Sequence, residues 1–124
     1  MVKILIVDDE VFARDAMAKI ITRKGFEVIV ASTGEECIKL FKTDNPQVIF
    51  LDIILPDLDG DHVYTYLKEI KKDVAVYFIT GSGFVFTKEN AIKAGASGYL
   101  QKPIELPELF KVLDEIKIKF GDQN

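Results

Sequence analysis

The chain has 124 residues, enough for one domain whose core needs no covalent staples. With 48% apolar and 29% charged residues, the composition is that of a globular domain and excludes a disordered tail. The formal charge of −4 argues against nucleic acid as a direct ligand, and the single cysteine, Cys37, excludes an internal disulfide or a cysteine-cluster metal site.

Short apolar runs alternate with amphipathic segments of helix length. The first run, KILIVD, meets acids after a few residues, so neither a signal peptide nor a membrane span is expected, and the chain reads as cytoplasmic. A first helix is predicted from about Val11 to Lys24, with Ala13, Met17, Ile20 and Ile21 on one stripe and Gly25 as its stop. EVIVA is the second strand. The second helix follows Ser32-Thr33-Gly34-Glu35, a capping-box pattern, and buries Ile38 and Phe41 with Cys37 as an inert thiol. QVIFLD is the third strand, and the third helix runs from about Gly60 to Lys72 with Val63, Leu67 and Ile70 inward. VAVYFIT is the fourth strand. GSGFVFTKEN then carries an apolar triplet, Phe84-Val85-Phe86, which reads either as a buried flap or as an exposed partner patch. A fourth helix is predicted from near Thr87 to Gly95, followed by the fifth strand, GYLQ. The fifth helix has Pro107 in its first turn and Phe110, Leu113 and Ile116 inward. The lysines of this segment (Lys111, Lys117, Lys119) alternate with acids, as on a solvated face, and the last residues, GDQN, are expected to fray.

Five strand–helix units imply an α/β domain with a parallel sheet and helices on both faces. The strands are apolar throughout, as strands covered on both faces must be. Without a linker, repeat or low-complexity tract, residues 1–124 read as a single domain.

In open parallel sheets, ligands bind beyond the carboxyl ends of the strands. The pattern puts Asp8 and Asp9 just past strand 1, Asp52 at the end of strand 3, Thr80 at the end of strand 4 and Lys102 after strand 5. Asp57 and Asp59 lie past Pro56 and read as turn and helix-start residues. Three crowded carboxylates repel, so the group either holds a raised pKa or recruits a cation. Oxygen ligands with room for water suit Mg²⁺, and a lysine with a threonine opposite could hold a phosphoryl group. A carboxylate can itself be the nucleophile, giving an aspartyl phosphate. The alternative is a surface acid patch paired by Lys102.

The stretches ILIVDDE, LDIILPDLDG, FITG and GYLQKP, with the strand–helix spacing between them, resemble a response-regulator receiver domain of two-component and phosphorelay signalling. The resemblance covers essentially the whole chain. It implies a doubly wound, flavodoxin-like (βα)5 sandwich with sheet order 2-1-3-4-5. It also implies that Asp52 is the phosphoacceptor. Asp9 and Asp52 would ligate Mg²⁺ directly, the backbone carbonyl of Ile54 would be a third ligand, and Asp8 would act through a metal-bound water. Lys102 would pair with the phosphoryl oxygens ahead of a cis bond to Pro103, and Gly81 would leave room beside the phosphate. Thr80 and Tyr99 would form the switch.

The implied donor is a sensor histidine kinase or histidine phosphotransfer protein, docking near Phe12, Arg14, Asp15 and Ile104. The implied output is an effector protein on the face made by the fourth helix, fifth strand and fifth helix. With no output domain expected after the fifth helix, effects would pass through protein contact, with no membrane or direct nucleic-acid partner. The chain would be a signalling domain, not an enzyme beyond its own phosphorylation and slow dephosphorylation. Ile54 is apolar where many relatives are polar. It reads either as a shield over the acyl phosphate or as loop packing. His62, the lone histidine, reads as structural.

Other functions fit the residues less well. DLDGD at 57–61 echoes the nucleophile motif of haloacid-dehalogenase-type phosphatases, but Pro56 separates Asp57 from the strand tip and Asp61 replaces the threonine. As a calcium loop its glycine comes too early, and Lys68 stands where a bidentate glutamate belongs. A flavodoxin-like FMN site would set Asp8 and Asp9 against the phosphate. A receiver-shaped scaffold that is never phosphorylated would not need the full acid–threonine–lysine set.

Overall fold

The five apolar runs of the pattern form strands, and each strand feeds both of two cores. The computed structural model describes residues 1–81 and 93–121. Its elements are β1 (Lys3–Val7), α1 (Val11–Arg23), β2 (Glu27–Ala31), α2 (Gly34–Asp44), β3 (Val48–Asp52), α3 (Gly60–Ile70), β4 (Ala75–Thr80), β5 (Gly98–Gln101) and α4 (Leu106–Phe120). The strands form one parallel sheet in the order β2-β1-β3-β4-β5, as the resemblance implied. The expected fourth helix and the triplet Phe84-Val85-Phe86 lie outside the described residues. Only the end of that segment, 93–95, is described, and there Gly95 has φ +90°. The fifth expected helix is therefore α4 here.

Alternation along each strand sorts side chains between two layers. Leu5, Val7, Ile49, Leu51, Val76 and Phe78 pack with Cys37 and Phe41 of α2 and Val63 and Leu67 of α3. Ile4, Ile6, Val48, Phe50, Tyr77 and Ile79 pack on the opposite face with Met17 and Ile21 of α1 and Leu109, Leu113 and Ile116 of α4. Phe50 and Phe78 are fully buried in opposite layers, and removal of each from water contributes about 2–3 kcal/mol.

Several local expectations shift. Ala13 is exposed at the rim of a groove rather than in the α1 stripe, Ile20 and Phe110 are half-buried, and Ile70 is exposed at the end of α3. The cap of α2 moves one residue along: Thr33 accepts from the Glu36 N–H (3.0 Å), and Glu36 Oε1 accepts from the Ser32 N–H (2.7 Å). Gly25 takes φ +97° after α1, a conformation that other residues adopt only with strain.

Gly60 begins α3 directly behind the end of β3. A Cβ there would lie 2.5 Å from the Asp52 carbonyl oxygen and 2.6 Å from Ile53 Cα, and backbone cannot swing aside as a side chain can. Gly60→Ala is therefore expected to cost about 2–3 kcal/mol, read as a lower urea midpoint. A midpoint equal to the parent's would show that the loop accommodates the methyl group.

Candidate functional site

Pairing register assembles the site. Val7 faces Leu51 across β1–β3, so Asp8 and Asp52 emerge side by side at the carboxyl edge. The Asp8 N–H donates to Ala31 O (3.0 Å), the Ile53 N–H to Ile79 O (3.1 Å) and the Lys102 N–H to Thr80 O (2.7 Å), which extends the sheet's bonding just past the strand tips. Asp8, Asp52 and Thr80 are only 2%, 5% and 2% exposed. Buried charge is costly unless paired, so a cation must stand close by.

That cation is Lys102. Its Nζ lies 2.8 Å from Asp8 Oδ2, 3.0 Å from Glu10 Oε1 and 3.1 Å from Asp52 Oδ2. The second oxygen of each aspartate is also engaged: Asp8 Oδ1 accepts from the Glu10 N–H (2.9 Å) and Asp52 Oδ1 from the Ile54 N–H (3.1 Å). Burial pushes the Asp52 carboxyl above its ordinary 3.8; Lys102 and the Ile54 N–H pull it back only in part, and the charge of Asp8 adds to the rise. For Lys102, burial alone would lower the ammonium, but its bonds to Asp8, Glu10 and Asp52 outweigh that and hold it above its ordinary 10.5.

Ligand oxygens of Asp8, Glu10 and Asp52 lie within 4.8 Å of one another. Asp9, assigned to the metal by resemblance, is exposed and stands outside that group of three. Glu10 is the residue that the sequence reading missed; the only signal for it was a third acid following the aspartate pair. Thr80 Oγ1 donates to the Tyr99 hydroxyl at 2.9 Å, which joins the two expected switch residues, and the Lys102–Pro103 bond is cis as expected. Ile54 is 54% exposed and belongs to neither core. Asp57, exposed in the loop, binds backbone N–H groups of α2, well removed from the nucleophile role that a phosphatase motif would require. A groove of about 640 Å³ opens beside the acids, lined by Glu10, Ala13, Met17 and Gly81 and by Pro103 and Ile104 across it.

The sequence pattern of the response regulator receiver domain matches residues 4–114. The chain belongs to the response-regulator receiver family. This receiver is 38% identical over 109 residues to the probable transcriptional regulator ycf27 of Porphyra purpurea, a match covering 86% of this chain and 44% of that one. It is 36% identical over 107 residues to the alkaline phosphatase synthesis transcriptional regulatory protein PhoP of Bacillus subtilis, covering 86% of this chain and 45% of the relative. The receiver domain of Francisella response regulator 1452 superposes with a TM-score of 0.86 at 25% identity, covering 96% of this chain and 98% of that one.

Receivers are the signalling domains of response regulators in two-component systems rather than enzymes of the ordinary kind. This receiver spans less than half the length of the curated relatives it matches. Those relatives bear transcriptional-regulator names, so the charge-based expectation of no nucleic-acid contact finds no support among them. Among the described residues, no helix is long and apolar enough to cross a membrane.

Proposed function

We propose that this receiver, a unit spanning residues 1–124 in the cytoplasm, accepts one phosphoryl group on Asp52 from the phosphohistidine of a sensor kinase or histidine phosphotransfer protein. The supporting observation is the pair of buried carboxylates, Asp8 and Asp52, bridged by one lysine at a sheet edge where Thr80 is also buried. An Asp52 oxygen forms the bond to phosphorus as the phosphorus–nitrogen bond breaks, and the imidazole leaves with the electron pair. Lys102, already 3.1 Å from Asp52, neutralises the incoming oxygens.

The all-oxygen donor set fits a hard divalent cation. Asp8, Asp9, Asp52 and the Ile54 carbonyl would hold Mg²⁺, with Glu10 at the rim. When bound, the ion supplies positive charge against the phosphoryl oxygens. The new group carries about −1.5 to −2 charges. It draws the Thr80 hydroxyl from Tyr99, and Tyr99 changes rotamer and alters the face that β5 and α4 share with the segment expected as a fourth helix, where an effector protein binds. The basic test is stoichiometry: one phosphoryl group taken up per chain from acetyl phosphate with Mg²⁺. Repeated turnover of p-nitrophenyl phosphate would instead indicate a phosphatase.

The donor docks on the apolar rim of the groove. Phe12 is 92% exposed, and Val11 and Leu106 are half-exposed. Phe12→Ala is expected to slow transfer from the kinase about tenfold, as for a truncated interface anchor, with labelling by acetyl phosphate unchanged. A fall in both would mean that Phe12 supports the fold rather than the partner.

A further inference from the structure

We infer that Asp57 is a positioning residue for the phosphoacceptor loop, tying it to the start of α2; this rests on Asp52 being the acceptor. The loop closes on itself at its base: Ile54 and Asp59 form an antiparallel bridge, and the Gly60 N–H donates to Ile53 O at 2.6 Å. Its tip is held from outside. Asp57 Oδ1 accepts from the Gly34 N–H (2.8 Å) and from the Leu58 N–H (3.0 Å), and Oδ2 accepts from the Glu35 N–H (2.9 Å). Leu58 packs on Gly34 so closely that a Cβ at Gly34 would lie 3.1 Å from Leu58 Cβ.

The first N–H groups of a helix have no partners within it. Thr33 satisfies Glu36, and the Thr33 carbonyl takes the Cys37 N–H (3.0 Å). Asp57 supplies acceptors for Gly34 and Glu35, the two that remain, from a different element. The same carboxylate thus finishes α2 and fixes the segment whose Ile54 N–H orients Asp52 and whose Ile54 carbonyl is assigned to the metal. Asp57 touches no reacting atom; it sets where those atoms stand.

The test separates positioning from simple capping. Asp57→Ala, Asp57→Asn and Thr33→Ala are compared with the parent in three measurements: Mg²⁺ affinity by calorimetry, half-life of the acetyl-phosphate-labelled form, and urea midpoint. Loss of a supporting hydrogen-bond partner weakens metal binding by about tenfold, which is the change expected for Asp57→Ala, together with a shorter half-life. Asp57→Asn keeps one acceptor oxygen for Gly34 and Leu58 and should recover part of both. Thr33→Ala removes a cap of the same helix without touching the loop, so it should lower the midpoint alone. Parent-like Mg²⁺ affinity and half-life in Asp57→Ala, or equal shifts in Thr33→Ala, would reduce Asp57 to a helix cap. A parent that neither binds Mg²⁺ nor labels would instead remove the reading of Asp52, and this inference with it.

Discussion

Asp52→Asn is expected to abolish labelling by acetyl phosphate and Mg²⁺ while leaving the chain folded. The substitution keeps the shape and the oxygen that accepts from the Ile54 N–H, and Lys102 retains Asp8 and Glu10 as partners. What it removes is the carboxylate nucleophile, for which an amide has no equivalent. It also removes a charge whose burial is unfavourable, so the urea midpoint of the metal-free protein should hold or rise. Labelled phosphate on the intact chain, counted after gel filtration, decides the matter. Counts equal to the parent's would place the acceptor elsewhere.

Lys102→Ala should act in two opposite directions. With no ammonium to meet the phosphoryl oxygens, the labelling rate should fall about hundredfold, the usual loss for one preorganised charge donor. Mg²⁺ should nevertheless bind more tightly, because the lysine of the parent occupies oxygens that the ion needs. Stability follows from linkage. The pKa of Lys102 is raised by folding, so its contribution is complete below the ordinary 10.5 and is lost only as pH climbs through the higher folded value. The parent thus keeps the full effect at neutral pH. In the variant Asp52 loses the partner that held its buried carboxyl down, so the midpoint should be low at pH 8 and recover relative to the parent on acidification, as the Asp52 carboxyl, already raised by burial, takes up a proton. Unchanged or weaker Mg²⁺ binding would defeat the idea that ammonium and metal ion share ligands.

Much of this site is legible in the sequence because strand tips are. KILIVD and QVIFLD end in aspartates, and parallel pairing brings such ends to one edge, so Asp8 and Asp52 could be placed without coordinates. Lys102 follows from the same logic. Glu10 could not be placed that way: it lies past the strand tip, directly before α1, and the reach of Lys102 across the edge recruits it. Asp57 was legible as a loop residue but not as a cap for a helix that starts far upstream, since no local pattern encodes a bond between elements. The misplaced faces have similar causes. Ile70 fits the 3.6-residue stripe, yet α3 ends there and leaves it 43% exposed; Ala13 fits the α1 stripe, yet it borders the groove. Periodicity says which way a side chain points, not whether anything lies opposite.

Glu10 and Lys102 meet although they stand 92 positions apart, and Lys102 is held in place by a bond to the end of β4 beside the outermost strand, β5. An acid from the connection between β1 and α1 therefore waits for a base that follows β5. Contacts of such long range are slow to form, because the loop between them must close before they contribute anything. A chain cut before β5 would carry every acidic residue of the cluster and still lack the ammonium that bridges them. The cluster is therefore neutralised only once the sheet has closed on its outermost strand.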